Sequence, residues 1–228
     1  PLPASAVLHV LLYSLAHEPS QKAHTSPRQY AAWLRERYAL CLAFVFFARQ
    51  DSCTALRSED HGITATHLWL RVAEKMRKAC VFRRVIRLPL FSSPVCGHAS
   101  ALPHLAQLGT LYVNARRSLG STPSRLFQLP DEPIPTTTLM SSWVARVLKA
   151  HRIVAPAGFA YQGHSLRSGG ASAAEAIGVS SFRANWLGGW SQTSKTRELH
   201  YVDPSIAPSP AAYSLLGWLL SASFDTNP

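Results

Sequence analysis

Residues 161–204 read YQGHSLRSGGASAAEAIGVSSFRANWLGGWSQTSKTRELHYVDP, and the rest of the chain is organised around them. The stretch opens on His164 and Arg167, passes a Gly-Gly-Trp-Ser turn at Gly188–Ser191 and closes on Tyr201. Residues three apart share one face of a helical turn, so His164 and Arg167 are expected side by side. A helix start adds unpaired N–H groups that suit an anion. An indole N–H such as that of Trp190 only donates, and a tyrosine hydroxyl such as that of Tyr201 can act as a nucleophile. Donors and a nucleophile with few carboxylates nearby suit a phosphodiester.

The wider composition points the same way. The 228 residues are long enough for a sizeable core, and one domain is expected. With 47% hydrophobic and 15% charged residues the chain is not a disordered tail. The 23 Lys and Arg outnumber 12 Asp and Glu, a net charge of +11, which favours a polyanion, nucleic acid ahead of an anionic membrane surface. The longest apolar run, residues 39–48, is too short to span a bilayer, so no membrane partner is expected. Cys41, Cys53, Cys80 and Cys96 lack metal-binding or disulfide-framework spacing, so buried structural thiols in a reducing, intracellular compartment are expected. A start at Pro1 is read as one module of a larger protein.

Taken in order, residues 1–16 predict a short helix and residues 17–27 a polar loop. A long helical stretch over residues 28–51 becomes apolar on every side, the mark of a buried helix. Within it Arg49 comes straight after Phe46, Phe47 and Ala48 and must reach solvent or meet an anion. A short helix is expected over residues 52–58, then a hairpin or small antiparallel sheet over residues 68–88. That hairpin carries Arg71, Lys75, Arg77, Lys78, Arg83, Arg84 and Arg87 against the single acid Glu74, a pattern that reads as phosphate-tracking DNA contacts ahead of a solvated face. Helices are expected over residues 104–119, 139–150 (capped by Thr138), 165–177, 180–187 and 208–222, with a loop over 153–163 delivering His164. The fold class is mainly α with a small antiparallel β-sheet, in a single domain over residues 1–228.

The boxes HSLRSGG, GGWS and Tyr201 resemble those of the tyrosine recombinases, the phage-integrase family, and more closely its branch in DIRS-like and Crypton-like mobile elements. FARQDSCTALRSED resembles the family's first box, which makes Arg49 the expected first catalytic arginine and demotes Arg57. The family's glutamate after that arginine is replaced by Ser52, with Asp51 beside it, and Tyr201 lies slightly further past Trp190 than is common. The resemblance covers essentially the whole chain as a tyrosine recombinase catalytic domain, without the N-terminal DNA-clamping domain of such enzymes.

What the resemblance implies is a metal-independent phosphoryl transfer without cofactor. Arg49 and Arg167 would hold the non-bridging oxygens, Trp190 would donate its indole N–H, and His164 would be base or orienter. Lys75, with Lys78 as the alternative, would protonate the leaving oxygen, and Tyr201 would attack. The implied product is a 3′-phosphotyrosyl link, reversed by a 5′ hydroxyl in recombination or integration of a mobile element. The implied partner is double-stranded DNA, bound by a homo-tetramer that is a monomer or weak oligomer without it, in nucleus or cytoplasm. The helix after residue 205 would be exchanged between protomers or close its own core. The rival readings are a recombinase-derived DNA-binding protein without chemistry and a type IB topoisomerase.

Overall fold

Helix α2 (Pro27–Val45) is the axis of the molecule, and its residues from Tyr38 to Val45 are all buried. Its start is written in Ser26-Pro27-x-Gln29. The Ser26 side chain accepts from the Gln29 N–H at 3.3 Å, Gln29 returns a bond to the Ser26 N–H at 3.1 Å, and Pro27 supplies a pre-set φ. The computed structural model describes residues 1–75, 81–193 and 195–221, with side chains left out for residues 73–75 and 81–83.

Helix α1 (Ala4–His24) lies against α2 and runs eight residues beyond the expected end, through Pro19 and the predicted loop. Lys22 and His24 suit the negative end of its dipole, Thr25 ties the last turn by an Oγ1 bond to Gln21 O at 2.6 Å, and Tyr30 donates to Glu18. Beyond α2 the predicted single stretch breaks. Phe47 adopts φ 49°, a left-handed conformation costly for a bulky residue, and its ring stays fully buried. Helix α3 (Gln50–Ala55) restarts with Arg49 at its N-cap, followed by a 3₁₀ turn, Ser58–Asp60.

Strands β1 (His61–Ile63), β2 (His67–Lys75) and β3 (Val81–Pro89) form an antiparallel sheet in the order β1-β2-β3. Pairing of Leu68 with Leu88 and Leu70 with Ile86 puts an apolar set on the core face. Pairing of Trp69 with Arg87 and Arg71 with Val85 occupies the other face, where Arg87 and Val85 are exposed.

Helix α4 (Leu102–Arg117) packs on α2, and α5 (Thr137–Ala150) is capped by Thr136 rather than Thr138. Helix α6 (Gly163–Ala176) begins before His164, so that histidine sits in a first helical turn rather than at the end of a loop. Helix α7 (Ser181–Gly188) ends at Gly189 with φ 66°, a left-handed stop open to glycine without strain. Helix α8 (Thr196–His200) forms between the expected helices over residues 180–187 and 208–222.

The terminal apolar run forms α9 (Pro210–Leu216) and α10 (Trp218–Ser221), and α9 lies against α1 and α6 of its own chain. No described helix is long and apolar enough to cross a membrane. Cys41 and Cys53 are buried as expected, Cys96 is exposed in a tight turn, and Cys80 lies outside the described residues.

Candidate active site

The N-terminal half of α6 brings the first group together. Gly163 is buried where the Gln50 side chain crosses it, and a Cβ there would sit 1.7 Å from Gln50 Nε2. That amide donates to Ser141 Oγ at 2.6 Å, so α3 and α5 are pinned at the start of α6. The result is a cavity of about 300 Å³ lined by Arg49, Gln50, Asp51, Thr137, His164, Arg167 and Tyr201 among others. Sequence reasoning named Arg49, His164, Arg167 and Tyr201, and the fold brings these four to one cavity. Gln50 and Thr137 were missed, because a lone amide and a lone hydroxyl carry no spacing signal.

Arg167 is the centre of the arrangement, 2% exposed. Its Nη1 donates to Phe47 O, and its Nη2 to Gly188 O at 2.8 Å. The left-handed turn at Phe47 and the glycine turn at Gly188 thus both offer carbonyls to one guanidinium. Its carbon lies 3.8 Å from the Trp190 ring centroid and 5.0 Å from that of Tyr201. Burial pulls the guanidinium down to about 10 and the charge of Arg49 adds to this, while Tyr201, by charge and a side-chain hydrogen bond, and then Asp51 push it back up. Among the described residues no carboxylate comes within ion-pair distance of it; the described pairs are made by other arginines.

The His164 and Tyr201 rings are 4.8 Å apart at their centroids, and the Trp190 and Tyr201 rings 5.1 Å. Burial, then the charges of Arg167 and Arg49, hold the His164 imidazole below its ordinary range, so it is neutral near pH 7 and able to accept a proton. Tyr201 is half-buried and follows α8 as its C-cap. Arg49 is exposed at the rim, which leaves it able to meet an incoming anion.

Trp190 departs from expectation. It is 7% exposed, presents its ring to Arg167, and its buried Nε1 has no hydrogen-bond partner among the described residues. Its ring lies against the guanidinium, and it is not among the residues that line the cavity. The physical reason is the turn: Gly188 leaves room for the indole, which a Cβ at that position would meet at 1.9 Å.

The expected DNA contacts divide as well. Arg84 donates to Leu187 O at 3.2 Å and stacks 4.9 Å over Trp186, tying β3 to α7 rather than lining an outer face. It alternates with Val85 and Arg87 and so shares the core-facing parity of Ile86. Arg71 reaches Asp60 at 3.6 Å, while Arg87 is exposed. Lys75 and Arg83 are placed by strand register alone, opposite Val81 and Ala73. Arg77 and Lys78 lie outside the described residues. No group of three or more His, Cys, Asp or Glu side chains that could hold a metal ion occurs among the described residues.

Among the solved structures similar to this chain are two complexes of one recombinase. One is the XerH site-specific recombinase bound to palindromic difH substrate in a post-cleavage complex, at TM-score 0.60 and 14% identity, over 88% of this chain and 49% of that one. The other is XerH bound to difH substrate in a pre-cleavage complex, at TM-score 0.58 and 14% identity, over 82% of this chain and 46% of that one. The fold is that of a tyrosine recombinase catalytic domain. The chain spans about half the length of the solved recombinases it matches. No family model and no curated protein matches the sequence.

Proposed function

We propose that this domain cuts and rejoins DNA strands through a covalent link between Tyr201 and a 3′ phosphate. The observation that carries the reading is the common cavity of Arg49, His164, Arg167 and Tyr201, with Arg167 buried and, among the described residues, without a carboxylate in ion-pair distance. The fold shared with XerH–DNA complexes and the charge of +11 support it.

In the proposed step a backbone phosphate enters the cavity and takes N–H bonds from Arg49 and from the guanidinium hydrogens that Arg167 does not spend on Phe47 and Gly188. Neutral His164 accepts the Tyr201 proton as the phenol oxygen attacks phosphorus. The bond to the 5′ oxygen breaks, and that oxygen leaves as a hydroxyl with a proton from Lys75. The phosphodiester energy is kept in the 3′-phosphotyrosyl bond, so attack by a 5′ hydroxyl of a partner strand restores DNA and frees Tyr201. Recombination or integration of a mobile element, by a tetramer on double-stranded DNA, is the use the sequence boxes suggest.

A pool of duplexes of randomised sequence, each nicked just beyond the scissile phosphate so that the cut fragment diffuses away, tests this. The wild-type chain is expected to be trapped on DNA, with the adduct mapping to Tyr201 by mass spectrometry, and Tyr201→Phe is expected to give none. A chain that binds the pool but is never trapped overturns the reading and leaves a recombinase-derived binding protein.

A further inference from the structure

The segment that carries Tyr201 is too short to place itself. Helix α8 has only five residues, and a helix of that length is not stable on its own backbone bonds. Its position is therefore set by what its side chains grip. The grip is Arg197, four residues before Tyr201 and fully buried.

Four of the five N–H groups of the Arg197 guanidinium are spent on described partners. Nε donates to Asn185 Oδ1 at 2.9 Å, Nη1 to Glu175 at 2.7 Å, and Nη2 to Ser181 Oγ at 2.8 Å and Glu198 at 2.9 Å. These partners come from α6, α7 and α8 itself, so one side chain joins three helices. Its backbone carbonyl in turn accepts the N–H of Tyr201 at 2.9 Å and of Val202 at 3.1 Å. On the far side of the tyrosine, Ser172 Oγ donates to Tyr201 O at 3.2 Å and accepts from the Asp203 N–H at 2.9 Å.

Ser172 and Glu175 stand three apart on α6, eight and eleven residues after His164, and so continue the helical stripe that starts with His164 and Arg167. One helix thus holds the cavity groups at its start and, toward its end, both anchors of the tyrosine segment. We infer that Arg197 is a positioning residue: with Ser172 and Glu175 it sets the distance between the Tyr201 hydroxyl and the arginines of its own chain. This rests on the reading of Tyr201 as nucleophile, but the placement itself does not need DNA to be tested.

The test uses the full chain with 3-fluorotyrosine at position 201 or, as control, at position 213 on α9, read by fluorine NMR. Arg197→Met is expected to shift and broaden the signal from position 201 while leaving that from position 213 in place, and Glu175→Gln with Ser172→Ala is expected to do so to a smaller degree. On the randomised nicked pool, adduct formation by Arg197→Met should slow by about a hundredfold while the DNA Kd changes less than about twofold. Arg197→Lys should recover part of the rate.

An unchanged 201 signal in the folded variants overturns the inference. So does simultaneous loss of both signals in the Glu175→Gln, Ser172→Ala chain, which would make the cluster a general support of the core. If Arg197→Met does not fold, that double variant decides. If the wild type forms no adduct yet its 201 signal answers to these changes, the placement stands and the reading of Tyr201 as nucleophile falls.

Discussion

Arg167 at 2% and Arg197 at 0% exposure are the most deeply buried arginines among the described residues, and they are held in different ways. Arg197 is paired with Glu175 and Glu198 and bonded to Asn185 and Ser181. Arg167 has two backbone carbonyls and two aromatic faces. Two carboxylates compensate the Arg197 guanidinium, whose charge would otherwise cost several kcal/mol to bury. Arg167 has no ion pair among the described residues and opens on a cavity that a partner from outside can enter. Arg116, 3% exposed and also without a described ion pair, instead spends its N–H groups on Ser58 and on the carbonyls of Pro123, Arg125 and Gln128. The contrast separates a support from a site, although sequence proximity groups the two together.

Replacing both arginines by methionine gives the sharpest way to break that comparison. Arg167→Met should lower adduct formation by about a thousandfold. Its melting temperature should fall less than that of Arg197→Met, because the change removes a charge that burial disfavours. Arg197→Met should cost about 2 kcal/mol or more, since it leaves buried Asn185 without its donor and unlinks three helices. Denaturant titration of the two variants measures this, and the reverse order of stability would erase the distinction.

The pH profile sharpens it next. Burial and then the cationic neighbours Arg167 and Arg49 lower the His164 pKa, so its neutral form persists to more acid pH than in a free histidine. The acid limb of adduct formation should therefore be centred below about 6.5, the ordinary histidine value. His164→Asn should remove that acid limb, and a limb centred above 6.5 in the wild type would contradict the cationic pocket.

A smaller effect is expected at the back of α6, away from the cavity. Gly169 faces the first residues of the chain, and a Cβ there would meet Leu2 O at 2.2 Å. Gly169→Ala should cost about 1–3 kcal/mol in unfolding experiments, with the single-turnover adduct rate retained. The smallest effect belongs to Arg57, which pairs with Glu59 at 3.0 Å in solvent. Arg57→Ala should change stability by less than about 0.5 kcal/mol and leave adduct formation as it was. Arg49→Ala should remove adduct formation, and the opposite outcome would move the first box by one arginine.

The burial of α2, the hairpin and the stripe of His164 and Arg167 were legible because each depends on a short period of the sequence. The apolar faces of residues 68–70 and 86–88 alternate with a period of two, and His164 and Arg167 follow the helical turn. Three features were not legible for physical reasons. Pro19 reads as a helix end, yet a bond from Thr25 back to Gln21 and one from Tyr30 of the next helix to Glu18 hold the helix through it. Arg84 reads as one more cation of a basic hairpin, and only strand parity with the α7 turn shows that it is spent inside. Trp190 reads as a donor, and only the approach of Arg167 shows which side of the indole is used.

By itself, then, the order of residues determined which side chains would be charged, which helices would be apolar, and that His164 and Arg167 would share a turn. Those properties are local: they depend on side-chain chemistry and on the backbone period. Only the tertiary structure decided that Arg49 and Tyr201 close on the same cavity, and that Arg167 and Arg197 are buried for opposite ends. The identity of an arginine's partner is a matter of distance in space between segments far apart in the chain, and no period of the backbone records it.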